Sequence, residues 1–159
     1  MYQFGIFPHV QPFRFAVQAC HNVNVFLSGS AVLDSNYPFH NVVIGGENGA
    51  KIFIRHVSDG ISYQSRTDGL EVSDLLFCLS YQEFWVTWSN GSVKVGRGLI
   101  ENQSELDSWS LYHDTQHIKI KSLAVMTSYG SSGQWDVYKE CKYNIIYRKC
   151  GHAMQIARI

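Results

Sequence analysis

The stretch from Glu83 to Gly98, EFWVTWSNGSVKVGRG, constrains the fold more than any other part of the chain. Two runs of strand-favouring residues flank Asn90-Gly91, the pair that supplies both positive-φ positions of a type I′ turn, so the stretch predicts a β-hairpin. On its first arm Phe84, Val86 and Trp88 point one way and Trp85 and Thr87 the other, as the two-residue period of a strand requires. At least one face of this hairpin is apolar and has to be covered. Trp85 and Trp88 read as core or sheet-face residues.

Further short strand-like runs fall at 13–19, 22–28, 40–46, 50–57, 116–127, 134–139 and 142–149. Turn signals separate them: Asp34 to Pro38, Asn48-Gly49, Asp59-Gly60, Asp68-Gly69 and Ser128 to Gly133. Many short strands with regular turns and almost no helical periodicity predict an all-β chain, an antiparallel β-sandwich in a single domain. Leu70–Leu79 and Ser104–Leu111 are the exceptions, each with room for a turn of helix. The chain has 159 residues, enough for one independent core. No Pro/Ser-rich linker, charge block or internal repeat divides it.

FRFAVQA (13–19), VVIGGENGAKIFIR (42–55), FWVTWSNGSVKVG (84–96) and YGSSGQW (129–135) occur in the order and rough spacing of one animal domain family. Together they resemble the farnesoic acid O-methyltransferase-like domain. The resemblance covers roughly 13–138, which leaves 1–12 as an N-terminal segment and 139–159 as a C-terminal strand or extension, a candidate dimer interface. It implies a β-sandwich module that occurs in extracellular and innate-immune proteins. In this chain Glu47 follows Gly45-Gly46 where the family usually carries an aromatic residue, so a carboxylate stands where relatives have a ring. The methyl transfer in the family name is a poor match to these residues. An S-adenosylmethionine site usually needs a glycine-rich turn between a strand and a helix, whereas Gly45 to Gly49 leads into another strand-like run, AKIFIR. That stretch reads as a hairpin, and the chain as non-catalytic.

Charged residues make up 16% of the chain and balance at thirteen Lys/Arg against thirteen Asp/Glu. Such a neutral surface lacks the electrostatic footprint that phosphate-backbone binding needs, which excludes nucleic acid as a partner. No apolar run reaches the roughly 20 residues of a transmembrane helix, and MYQFGIFPHVQPFRF shows no signal-peptide pattern. Met1 is either native or an addition to a mature secreted chain. Cys20, Cys78, Cys141 and Cys150 form no CxxC pair; they are disulfide partners, within or between chains, or reduced buried thiols. Asn90-Gly91-Ser92 and Asn102-Gln103-Ser104 fit the glycosylation pattern, relevant only in a secretory pathway.

No hydrolase elbow, P-loop, HExxH or EF-hand pattern occurs. His9, His21, His40, His56, His113, His117 and His152 are scattered, and the four-residue spacing of His113 and His117 suits a helix, not the strand expected there. The richest polar cluster runs from Glu101 to Trp109, ENQSELDSW. Calcium takes six to eight oxygen ligands, and Glu101, Asn102, Glu105 and Asp107 are the candidate metal ligands. The same loop with Trp109 as an aromatic platform suits a sugar, whose vicinal hydroxyls complete the calcium shell. The candidate carbohydrate-binding set is Glu47, Asn48, Glu101, Asn102, Trp109 and Tyr129. Asp114 is a further candidate, and Trp135 reads as core. The alternative for the 101–109 stretch is a solvated connection with no ligand.

The expected function is a secreted, homodimeric lectin that binds terminal galactose with calcium. The alternatives are a module binding protein or lipid through an apolar sheet face, and a methyltransferase acting on a terpenoid acid.

Overall fold

The computed structural model describes residues 2–5, 11–32, 34–65, 70–71, 74–110, 118–138 and 154–156. The expectations for Asp114, His9, His113, His117, His152, Cys141, Cys150 and the 142–149 strand lie outside them.

The strands in chain order are β1 (Tyr2–Gly5), β2 (Phe13–Ala19), β3 (Val23–Ser28), β4 (Phe39–Gly45), β5 (Lys51–Ser58), β6 (Ile61–Gln64) and β7 (Leu70–Glu71), followed by β8 (Gln82–Ser89), β9 (Ser92–Arg97), β10 (Glu105–Ser110), β11 (Ser122–Thr127), β12 (Gly133–Tyr138) and β13 (Met154–Ile156). One sheet has the order β1-β11-β3-β4-β5-β6, with β7 also on β5; the other has the order β10-β9-β8-β2-β12-β13. Every pairing in both sheets is antiparallel. The fold is the expected β-sandwich. β1 and β13 belong to its sheets, so the sandwich extends beyond the 13–138 block on both sides.

The period-two pattern builds the core. On β2, Phe15 and Val17 point inward and are fully buried; on β3, Val23, Val25 and Leu27 do the same from the opposite sheet. Phe15 packs against Phe84 at 5.7 Å and Trp135 at 5.3 Å between ring centroids, so three strands of one sheet share an aromatic cluster. The Asn90-Gly91 turn forms as expected, with φ of 46° and 75° and Ser89 opposite Ser92. Gly45 to Gly49 is also a hairpin connection: the short turn α1 (Gly46–Gly49) joins β4 to β5, with Glu47 and Asn48 in left-handed conformations.

Two local expectations change, and one strand is added. The helical turn allowed at Ser104–Leu111 is instead strand β10, where Asp107 and Trp109 are buried and Ser108 and Ser110 exposed. A register shift between Glu105 and Asp107 interrupts the alternation, which hides the strand in the sequence. The described part of Leu70–Leu79 holds β7 and an isolated bridge from Phe77 to Ser80 rather than a helical turn. Strand β6 follows the expected Asp59-Gly60 turn, but all four of its residues are exposed, so no burial alternation marks it.

Trp85 explains how the second sheet is covered on its outer face. It points away from the core yet is fully buried. A side chain at Gly96, opposite it on β9, would place Cβ 2.3 Å from the indole, so only glycine leaves room for the ring. The loop after β9 covers the rest: the Trp85 indole N–H donates to the Gln103 carbonyl at 3.0 Å, and Arg14 Nε donates to the Leu99 carbonyl at 2.7 Å. A disulfide, Cys20–Cys78, ties the end of β2 to the segment before β8. Among the described residues, no helix is long and apolar enough to cross a membrane.

Candidate functional site

The residues nominated from sequence fall in separate places. Glu47 and Asn48 lie on the exposed β4–β5 turn, where Glu47 pairs with Lys51 at 2.6 Å. Tyr129, 88% exposed, stands on the β11–β12 turn. Both turns meet the β2–β3 turn through backbone bonds, Asn22 N–H to the Gly45 carbonyl and Ser128 N–H to the Asn22 carbonyl, so they share one end of the sandwich. Glu101 and Asn102 lie on the loop over Trp85. Glu105, at the start of β10, pairs with Lys94 on β9 at 3.2 Å.

Asp107 and Trp109 are not loop residues. Asp107 is 3% exposed; it accepts the Ser65 hydroxyl at 2.5 Å and its neighbour's N–H, from Ser108, at 2.8 Å. Trp109 lies between the sheets, stacked on His56 at 4.9 Å and edge-on to His40 at 5.0 Å. A ring held there gives no platform to a sugar, because it is buried in the core against both histidines. The pattern Asp-Ser-Trp looks like an oxygen-rich loop in sequence but is an alternating strand with its polar side chain turned inward. Among the described residues, no three His, Cys, Asp or Glu side chains converge as metal ligands would.

The histidine pair was not singled out from sequence. His40 and His56 face each other across β4 and β5, 4.8 Å apart between ring centroids, on strands whose inner positions are otherwise aliphatic. Burial, and then the neighbouring His56, push the pKa of His40 down to about 3. Its Nδ1 is buried without a hydrogen-bond partner.

A different site emerges on the outer face of the second sheet. Ala16 lies opposite Glu83 on β8 and opposite Asp136 on β12, which sets two carboxylates in one cross-strand row with a methyl group between them. Because Phe15 and Val17 point inward, Ala16 points outward, between the longer Arg14 and Gln18. A small residue inside a frame of long ones leaves a hollow. The result is a cleft of about 470 Å³ with Ala16 as its floor, bounded by Tyr81, Glu83, Asp136 and Tyr138 and by Arg97-Gly98 at the start of the covering loop. That volume falls within the usual range for small-ligand sites.

The cleft's polar groups are partly organised and partly open. The Tyr138 hydroxyl donates to Glu83 Oε1 at 3.1 Å, and the Tyr81 hydroxyl donates to Gln134 Oε1 at 3.2 Å. The Gly98 N–H donates to the Glu83 carbonyl at 2.8 Å and fixes the rim. Burial, followed by Glu83, pushes the Tyr138 pKa up to about 12; burial and Asp136 raise that of Tyr81. Both phenols therefore stay protonated at neutral pH and keep a donor. Asp136 Oδ1 and Arg97 Nε are buried without a hydrogen-bond partner, although Arg97 Nη2 donates to the Asp74 carbonyl at 2.6 Å. Unpaired buried polar atoms carry a desolvation cost.

Sequence reasoning missed this cleft because its members span residues 16 to 138 and each reads as an ordinary outward strand residue. The available signal was the alternation of FRFAVQA, which sets a small alanine outward in an otherwise long-chained row.

No curated protein matches the chain. A family model described as farnesoic acid O-methyl transferase matches residues 2–141, most of the chain. The protein belongs to the farnesoic acid O-methyltransferase family.

Proposed function

We propose that this protein is a non-catalytic carbohydrate-binding module, a lectin, and that the sugar binds in the Ala16 cleft. One observation carries the reading: a cleft of about 470 Å³ on the outer sheet face is walled by Tyr81 and Tyr138 and edged by the carboxylates of Glu83 and Asp136 and by Arg97. A sugar hydroxyl both donates and accepts, so a polyol suits a cleft edged by both carboxylates and a guanidinium. The rings of Tyr81 and Tyr138 offer amphipathic walls against which a pyranose packs its C–H face.

The narrower form of the reading is terminal galactose bound with calcium. Glu101 and Asn102 lie on the loop that leaves the cleft at Gly98, and sugar hydroxyls would complete the shell of an ion held there. Secretion is part of the proposal, supported by a disulfide of the kind that persists in oxidising compartments. A homodimer would present two clefts and gain avidity; sedimentation showing only monomer would remove that part. The second reading, methyl transfer to a terpenoid acid, rests on the family description. Against it stands the glycine-rich stretch, which is a hairpin turn closed by Lys51 and Glu47.

A glycan array run with calcium and again with EDTA tests the proposal. Galactose-terminated glycans binding only with calcium support the narrow form; binding that survives EDTA keeps the lectin and removes the metal. A blank array in both conditions, with S-adenosylmethionine binding by calorimetry, sinks the lectin reading in favour of the second.

A further inference from the structure

The segment that enters β8 is anchored very unevenly. Its first half is held by packing: Leu75 is fully buried and Leu76 is 8% exposed, packed so closely on Gly45 that a Cβ there would lie 2.5 Å from Leu76 Cδ1. Its second half has no such anchor. Phe77, Leu79 and Tyr81 are 42%, 91% and 38% exposed, and Tyr81 forms one wall of the cleft. This half is held by hydrogen bonds between exposed groups, Gln18 Nε2 to the Cys78 carbonyl at 2.9 Å and Tyr81 to Gln134, and by the bridge from Phe77 to Ser80. The remaining constraint is covalent. Cys78 lies in the middle of the half that lacks packing and is bonded to Cys20 at the end of β2, the strand that supplies the cleft floor. Both cysteines are exposed, so a thiol reagent reaches them without unfolding the sandwich.

We propose that the Cys20–Cys78 disulfide is the positioning element of the cleft lip: it holds Tyr81 over Ala16, and its reduction releases Phe77 to Tyr81 and weakens ligand capture. The binding arm of this proposal rests on the carbohydrate reading, and the structural arm does not. The reaction is thiol–disulfide exchange with a dithiol. One thiolate of the reductant attacks a cysteine sulfur and expels the other cysteine as a thiolate; the second thiolate of the reductant then releases the first cysteine. The S–S bond becomes two thiols, and the reductant is oxidised to its own disulfide after supplying two electrons and two protons.

Hydrogen exchange on the full chain, oxidised and after dithiothreitol, tests the structural arm. The Cys20→Ser/Cys78→Ser double variant separates this bond from any that Cys141 and Cys150 make. In both the reduced protein and the variant, amides from Phe77 to Gln82 should exchange at least tenfold faster, while those of β2 and β8 beyond Gln82 stay protected. Lactose titrated by calorimetry should bind roughly tenfold more weakly, and Tyr81→Ala with the disulfide intact should reproduce that loss while raising exchange from Phe77 to Gln82 much less than reduction does. Unchanged exchange from Phe77 to Gln82 overturns the proposal, and so does loss of protection throughout the sandwich, which makes the bond a staple of the whole fold. If lactose fails to bind even the oxidised protein, the galactose reading fails while the exchange result still decides the lip.

Discussion

Two polar groupings in this protein use the same residue types and reach opposite ends. Between the sheets, Asp107 is bonded to Ser65, and His40 and His56 pack around Trp109. On the outer face of the second sheet, Glu83 and Asp136 flank Ala16 beneath two tyrosines. The inner grouping is closed: rings fill the space, and the carboxylate has its donors inside the protein. The outer grouping is open, because alanine leaves a hollow between the two carboxylates. The ENQSELDSW run is the polar stretch that composition offers as a site, and its Asp107 and Trp109 belong to the inner grouping. What separates them is whether side chains fill the space beside the polar groups.

The comparison predicts that changes to the inner grouping alter stability and changes to the outer one alter binding. The largest effect is acid sensitivity. His40 is held near a pKa of 3 in the folded state against 6.5 unfolded, so below pH 6.5 the unfolded chain binds a proton that the folded chain refuses. This contribution is fully present above pH 6.5 and is lost as pH falls toward 3, on the order of 3 kcal/mol by pH 4. Urea unfolding at pH 7 and pH 4 measures it; His40→Phe should flatten the difference, and an equally steep profile in that variant assigns the effect elsewhere. Next, Asp107→Ala leaves the Ser65 hydroxyl without its acceptor and should cost about 2 kcal/mol, with sugar affinity of the folded protein unchanged. A loss of binding at full stability would return Asp107 to the site.

In the cleft the signature reverses. Asp136→Asn should leave the protein at least as stable, because the amide carries no charge to desolvate, while weakening glycan binding about tenfold, which equals about 1.4 kcal/mol. The smallest effect is spectroscopic. Glu83→Gln should lower the Tyr138 titration midpoint, read by NMR of its ring carbon, yet leave it above 10, because burial is the larger cause of its rise. A midpoint that does not move would separate Glu83 from Tyr138.

Most of the fold was legible because it rests on local chemistry. Asn90-Gly91 determined one hairpin, Gly45 to Gly49 another, and period-two runs such as FRFAVQA marked the core strands. What was hidden depended on non-local pairing: β6 has no buried face, the bulge in β10 breaks its alternation, and the His40–His56 contact needs the β4–β5 register. The cleft was hidden most completely. Ala16, Glu83 and Asp136 become neighbours only once β8, β2 and β12 are ordered side by side, and no local pattern carries that order.

The most direct test of the central claim is a titration of isotope-labelled protein with a galactose-terminated oligosaccharide, followed by amide chemical shifts. The account predicts that perturbations centre on Ala16, Glu83, Gly98, Asp136 and Tyr138, with Asp107 and Trp109 unmoved. Shifts confined to the 101–109 stretch or to the Glu47 and Tyr129 turns, with the cleft silent, would contradict it.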